Sequence, residues 1–213
     1  MGTKRFIAIA GNIGSGKTTL TQMLAQKYAW DPHYEVVAEN PYLSDFYTDM
    51  NRWSLQLQVF FLSKRFRAHQ SILGTPSSSI QDRSIYEDAH IFARALYDMG
   101  KMDKRDYDNY FELYSMMIEF LTPPDLVVYV RRGVDVLKQR IQMRGRDYEK
   151  NIPEDYLHLL NSCYDEWIGS YKLGKVLTVF ADDLDLRDRP EDFDYVCRQI
   201  ESSLEQPELK FTC

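Results

Sequence analysis

Phe6-Ile7-Ala8-Ile9-Ala10-Gly11-Asn12-Ile13-Gly14-Ser15-Gly16-Lys17-Thr18 is the stretch on which the architecture turns. Five apolar residues read as a short buried strand, and the pattern from Lys17 to Tyr28 reads as a helix. Between them lies a complete G-x-x-x-x-G-K-[ST] turn. Its glycines let backbone N–H groups wrap an anion without side-chain obstruction, and the helix N-terminus adds partial positive charge. Lys17 can reach the β- and γ-phosphates, and the Thr18 hydroxyl can ligate Mg²⁺. The plain alternative is a glycine-rich strand-to-helix turn, but four specified positions match by chance in only about one sequence in a hundred of this length. The stretch Gly11, Asn12, Ile13, Gly14, Ser15, Gly16, Lys17, Thr18 and Thr19 is therefore the expected binding site for a nucleotide triphosphate.

Working outward, strand and helix signals alternate. Further strands are expected at Glu35-Val36-Val37, at Ser77–Asp82, at Leu126–Val130 and at Val176–Phe180. Helices are expected over 41–73, Ser84–Asp98, Asp103–Leu121, Val134–Met143, Pro153–Tyr171 and Pro190–Leu204. Such alternation implies parallel crossovers and a layered α/β fold. In these sheets ligands gather beyond the carboxyl ends of the strands, which directs attention to the loops there. The chain has 213 residues and the length of one domain, 1–213, with no repeat or long linker.

Composition narrows the classes. With 26 Lys+Arg against 32 Asp+Glu the net charge is −6, a poor balance for gripping nucleic acid backbones. Three cysteines without CxxC spacing fit neither a disulfide framework nor a zinc site, and suit a reducing, cytoplasmic compartment. No apolar run approaches the roughly 20 residues of a membrane span. Neither a nucleic acid nor a membrane is expected as a partner.

Three constellations suggest phosphoryl transfer to a small acceptor. Glu39, after the second expected strand, is a carboxylate within plausible reach of a bound hydroxyl. Asp82-Arg83-Ser84 ends the third strand, pairing an acid able to support Mg²⁺ with an arginine. Arg140, Arg144 and Arg146 form a basic run around Gly145, readable as a mobile lid over about 140–150 that neutralises a phosphoryl group in flight. Each has a bland counterpart in a surface acid, a capping salt bridge or a solvated basic patch. Gln58 and Arg65 lie seven residues apart on one helix face, roughly 10 Å along its axis. With Trp53, Tyr47 and Asp88 they could line a pocket for a nucleobase, since a Gln amide both donates and accepts.

Taken together these residues resemble the deoxyribonucleoside kinase family, from Gly11 to about Asp185. The markers are Gly11–Thr18, Glu39, Tyr47, Trp53–Gln58, Arg65, Gln81-Asp82-Arg83-Ser84-Ile85-Tyr86-Glu87-Asp88, Arg140/Arg144/Arg146 and Glu149. The likeness is nearest to the bacterial deoxyadenosine/deoxyguanosine group, which also carries Asp where many animal members have Glu at position 82. It implies the P-loop kinase fold, a five-stranded parallel sheet flanked by helices, as a homodimer. It also implies transfer of the γ-phosphoryl of ATP, with Mg²⁺, to the 5′-hydroxyl of a deoxyribonucleoside. By position, Glu39 would be the general base and Arg83 would assist near the 5′-oxygen. Tyr47 and Glu149 would hold the 3′-hydroxyl, and Gln58 would read the base. Asp88 would repel thymine's O4 and suit an exocyclic amine, so adenine or cytosine fits better than thymine; the resemblance adds the purine and implies deoxyadenosine as the substrate, with a deoxycytidine or broad-specificity enzyme as the alternative. A nucleoside monophosphate kinase would want further arginines near Glu39, and a non-catalytic nucleotide module would have no use for the lid.

Overall fold

A computed structural model describes residues 3–35, 40–149 and 152–205. Five parallel strands, β1 (Phe6–Ala10), β2 (Asp31–His33), β3 (Ser79–Asp82), β4 (Leu126–Arg131) and β5 (Lys175–Phe180), are ordered β2-β3-β1-β4-β5. The central strand β1 is wholly buried, as a strand with neighbours on both edges and helices on both faces must be. The period of two sorts its side chains. Ile7 and Ile9 join Leu126, Val128 and Val130 of β4 on one face, under Leu20 and Leu24 of α1 (Lys17–Tyr28) and Val196 and Ile200 of α9 (Pro190–Glu205). Ala10, Val127 and Tyr129 face the other way, into a core rich in large aromatics. There the ring of Tyr129 stacks on Tyr164 with centroids 5.3 Å apart.

The helices on that second face are α3 (Met50–Gly74), α6 (Lys104–Ile118), α8 (Glu154–Ser170) and a composite element after β3. Tyr110 and Tyr114 of the α6 aromatic stripe are buried and Tyr107, Phe111 and Met117 pack against them, so the stripe is core. Short α2 (Leu43–Thr48) precedes α3, and α7 (Val134–Arg144) follows β4. Among the described residues no helix is long and apolar enough to cross a membrane.

Two expectations need correction. The second strand is Asp31–His33, pairing in register with Ser79–Gln81, and Glu35 lies beyond it. An edge strand needs no apolar run, and Pro32, which lacks an N–H, is tolerated there. Residues 36–38 of the expected strand fall outside the described residues. The single helix expected over Ser84–Asp98 is instead α4 (Ile85–Glu87), a π-helical segment (Asp88–Ala93) and α5 (Arg94–Asp98). A π segment inserts an extra residue per turn and re-aims the side chains that follow, a device frequent at functional sites.

The end of α1 yields a test of backbone strain. Ala29 closes that helix with φ 53°, exposed to solvent, where an L side chain is disfavoured. Ala29→Gly should raise stability by about 0.5–1 kcal/mol, the left-handed penalty less glycine's greater chain entropy. Urea denaturation would read this; a loss of stability would contradict it.

Candidate active site

Beyond the carboxyl ends of the strands opens a cavity of about 700 Å³. One end is the phosphate loop. Gly11 has φ 152°, and a Cβ there would meet the Val130 carbonyl at 2.7 Å. Gly14 has φ 83° and a Cβ would meet the Leu137 carbonyl at 2.9 Å. Both positions therefore require glycine. The Asn12 side chain turns away from the cavity, donating to Leu157 O at 3.0 Å and to Asn161 Oδ1 at 2.8 Å. Lys17 Nζ donates to Asn12 O at 2.9 Å. Burial lowers its pKa to about 8, with the Arg83 charge acting in the same direction against Asp82, Glu35 and Glu87.

Thr18 Oγ1 donates to Asp82 Oδ2 at 2.5 Å, while Asp82 Oδ1 is buried with no hydrogen-bond partner among the described residues. Burial pushes the Asp82 carboxyl up, although Lys17 opposes it. A hydroxyl and a partly unsatisfied carboxylate beside a phosphate loop fit Mg²⁺, which is usually bound by few protein oxygens and completed by phosphates and water. No cluster of three or more His, Cys, Asp or Glu able to hold a metal occurs among the described residues.

The middle of the cavity holds a chain of charges, of which Arg65, Arg83 and Asp88 are buried and Glu35 is half-buried. Arg65 Nε donates to Asp88 Oδ1 at 2.7 Å, and Arg65 Nη2 donates to Glu35 Oε1 at 2.7 Å. Arg83 Nε lies 3.3 Å from the same Glu35 oxygen. Burial alone would raise the Glu35 carboxyl, but Arg83, Arg65 and Lys17 hold it at about 2. Arg83 sits at φ 68°, unusual for a residue with a side chain. Its N–H donates to Ile9 O at 3.0 Å, and its guanidinium lies 4.1 Å from the Phe92 ring centroid. Glu39, the carboxylate expected as the base, lies outside the described residues. Glu35 joins Asp82, Asp88 and Glu149 at the cavity, and sequence reading missed it because the strand was expected to run through it.

The far end is lined by Gln58, Leu57, Phe61 and Phe92, with Asp88 beside them. Gln58 Oε1 is buried without a hydrogen-bond partner among the described residues, whereas Asp88 Oδ2 lies 2.6 Å from Arg65 Nε in the same ion pair. Burial raises Asp88 to about 6 against the pull of Arg65. Tyr47 lines the cavity and stacks on Tyr148, with centroids 6.3 Å apart. Trp53 stands behind this wall, tilted against Tyr42 and under the Arg52 guanidinium. It supports the pocket rather than lining it.

Of the basic run, Arg140 Nε donates to Gly14 O at 3.2 Å. Arg144 donates to Glu149 Oε2 through Nε at 3.0 Å and Nη2 at 2.5 Å, and Arg146 Nη1 donates to Glu149 Oε1 at 3.4 Å. The segment thus brings all three arginines to the cavity together with Glu149. Two further contributions were not anticipated. The loop after β5 lines the cavity with Asp185, Leu186, Arg187 and Asp188, and Arg187 Nη2 donates to Thr19 Oγ1 at 3.2 Å. Arg132 is buried and donates to Ser15 O at 3.0 Å, Asp182 O at 3.4 Å and Leu184 O at 3.0 Å, joining that loop to the phosphate loop. The rule that ligands lie beyond strand ends applied equally to β5 and was the available signal.

Comparison with known proteins agrees with this geometry. The sequence model of the deoxynucleoside kinase family matches residues 7–205. A deoxyadenosine/deoxycytidine kinase of Bacillus subtilis is 36% identical over 208 residues, covering 96% of this chain and 95% of that protein. A deoxyguanosine kinase of Lactobacillus johnsonii is 36% identical over 209 residues, covering 94% and 92%. The deoxyadenosine kinase of M. mycoides with bound dATP superposes with TM-score 0.82 at 28% identity, covering 92% of this chain and 99% of that one.

The phosphate loop carries its own pH test. Below pH 8 Lys17 is charged in both the folded and the unfolded chain, and its burial costs stability. Between about 8 and the ordinary lysine value of 10.5 the unfolded chain keeps the proton that the folded one loses, so stability rises with pH. Urea midpoints of the ligand-free wild type should therefore gain on those of Lys17→Met from pH 8 to pH 10. A constant gap would contradict the buried, unpaired lysine.

Proposed function

Because the chain belongs to the deoxynucleoside kinase family, we infer that its site transfers the γ-phosphoryl group of ATP to the 5′-hydroxyl of deoxyadenosine. The enzyme is a deoxynucleoside kinase; donor, base and residue roles are the parts inferred. What carries the reading is the pair of half-buried Glu35 and buried Arg83, facing Lys17 and Thr18 on one side and the Gln58–Asp88 wall on the other. A nucleoside lying along the cavity would present its 5′-oxygen to Glu35 and its base to Gln58.

The roles follow from the chemistry of each group. Lys17 and the backbone N–H groups of Gly11–Thr18 would cradle the ATP phosphates. Thr18 and Asp82 would hold Mg²⁺, which supplies charge neutralisation on the phosphates. Glu35 would orient the 5′-hydroxyl, and it or Glu39, the base that the resemblance implies and that lies outside the described residues, would take its proton as the 5′-oxygen bonds to the γ-phosphorus and ADP departs. Arg83 would steady the oxygens between them. Tyr47 and Glu149 would hold the 3′-hydroxyl. Arg144 and Arg146, paired with Glu149 in the ligand-free protein, would turn to the phosphates as a lid over about 140–150 closes, with Arg140 already at Gly14.

Base preference is supported by one unpartnered acceptor, Gln58 Oε1, beside one ion-paired carboxylate with a lone pair to spare, Asp88. Gln58 Oε1 and Asp88 Oδ2 can each take one N–H of an exocyclic amine. Adenine and cytosine carry that amine, guanine and thymine present a carbonyl there. Deoxycytidine is thus the second substrate, in keeping with the dual name of the Bacillus relative. One domain over 1–213 is supported by a family match running over 7–205. A homodimer is supported by apolar Val59, Met116 and Phe120, exposed on α3 and on or just beyond α6, two helices that pack together. A cytoplasmic location is supported by the free, buried thiols of Cys163 and Cys197.

Two experiments test the reading. Glu35→Gln should lower kcat by about 10²–10⁴-fold, the usual contribution of a positioned base, and nucleoside Kd should rise as well, because the amide leaves Arg65 and Arg83 without their anionic partner. Normal turnover of Glu35→Gln beside a dead Glu39→Gln would move the base to the other carboxylate. In a panel of all four deoxynucleosides and adenosine, deoxyadenosine should lead and thymidine trail. As pH falls through about 6, Asp88 gains a proton and becomes a donor, so kcat/KM for deoxyguanosine should rise relative to deoxyadenosine between pH 8 and 5.5. A pH-independent ratio would remove Asp88 from base reading.

A further inference from the structure

Behind the phosphate loop, outside the cavity lining, Glu87 is fully buried and uses both carboxylate oxygens. Oε2 accepts from Gly11 N–H at 3.2 Å, the first residue of the phosphate loop. Oε1 accepts from Ser84 N–H at 2.7 Å and lies 3.2 Å from Ser84 Oγ, immediately after Arg83. The Tyr164 hydroxyl sits 2.7 Å from both Glu87 Oε2 and Gly11 O, so one proton is shared between two acceptors. Gly11 is thereby held at its N–H and at its carbonyl. Lys17 and Arg83 both feel the Glu87 charge.

We propose that Glu87, with Tyr164, is a positioning residue that sets the distance between the donor phosphates and the acceptor hydroxyl. One oxygen fixes the loop that cradles the phosphates, and the other fixes the turn that places Arg83 at its left-handed φ. Neither substrate touches Glu87, so its effect reaches the reaction only through those two backbones. A misplacement well under the size of an atom costs rate steeply while leaving ground-state contacts nearly intact. Glutamine cannot substitute, although it is isosteric. Both carboxylate oxygens face N–H donors, and the amide NH₂ must oppose one of them.

The test is the split between kcat and binding in Glu87→Gln, Tyr164→Phe and the double variant, with wild type assayed in parallel. Wild-type turnover separates failure of this inference from failure of the kinase reading on which it rests. Folded Glu87→Gln should lose at least about tenfold in kcat, with Kd for ATP and for deoxyadenosine within threefold. Tyr164→Phe keeps the ring stacked on Tyr129 and should fall several-fold in the same sense. The double variant should be no slower than Glu87→Gln, because the two side chains act as one clamp. A kcat within twofold of wild type, a loss confined to KM, or losses that multiply in the double variant would each overturn the proposal. Should Glu87→Gln fail to fold, Tyr164→Phe decides alone: reduced kcat at unchanged Kd supports the clamp, and unchanged kcat refutes it.

Discussion

The acceptor half of the site depends on one carboxylate placed between two arginines. Glu35 accepts from Arg65 and lies against Arg83, and Arg65 in turn is held by Asp88. Buried ions are costly unless paired, and breaking such a pair by removing one member typically costs about 3–5 kcal/mol. The alternation Asp88–Arg65–Glu35–Arg83 satisfies that demand with charges from four different places in the chain. It ties α3 to the turn after β3 and to the π segment, which is where the pocket walls come from. Because the arginines depress the Glu35 carboxyl, its pairing contributes stability above the ordinary glutamate value, and that contribution is lost as pH falls through about 2.

The same arrangement constrains the chemistry. The arginines that hold the Glu35 carboxyl well below the usual carboxylate range also weaken it as a base. A substrate hydroxyl entering the cavity must compete for Glu35 Oε1, relaxing the contact with Arg83 and returning basicity to the carboxylate. Phosphoryl transfer through a loose transition state asks little early proton removal of its base, and much of its positioning. On the proposed reading, orientation of the hydroxyl would then be the main service of Glu35, with proton uptake late. The donor half is built differently, on backbone N–H groups and a lysine whose charge is only half secured without phosphate.

Legibility in the sequence followed the locality of the signal. The phosphate loop could be read because strand, turn, lysine and helix are contiguous, and Gln58 with Arg65 because helical periodicity places them on one face. Asp82-Arg83-Ser84 was likewise placed at a strand end, where β3 delivers it. Glu35 escaped because it was read as the first residue of a strand, whereas the pairing with β3 is made by Asp31–His33, a stretch whose apolar content announces nothing. The π segment has no periodic signature, and Arg132 acts on carbonyls brought near only by tertiary structure. Glu87 stood in plain sight beside Asp88, but two of its partners, Gly11 and Tyr164, lie 76 and 77 residues away.

The central claim is that Glu35 is held ionised by Arg83 and Arg65 until an acceptor hydroxyl replaces part of that pairing. Carbon-13 NMR of carboxyl-labelled glutamate, with the Glu35 signal assigned by its loss in Glu35→Gln, measures this directly. The free protein should show Glu35 ionised throughout the range in which other glutamates titrate, and bound deoxyadenosine should shift its midpoint upward. An ordinary glutamate midpoint in the free protein, or no movement on binding, would contradict the account.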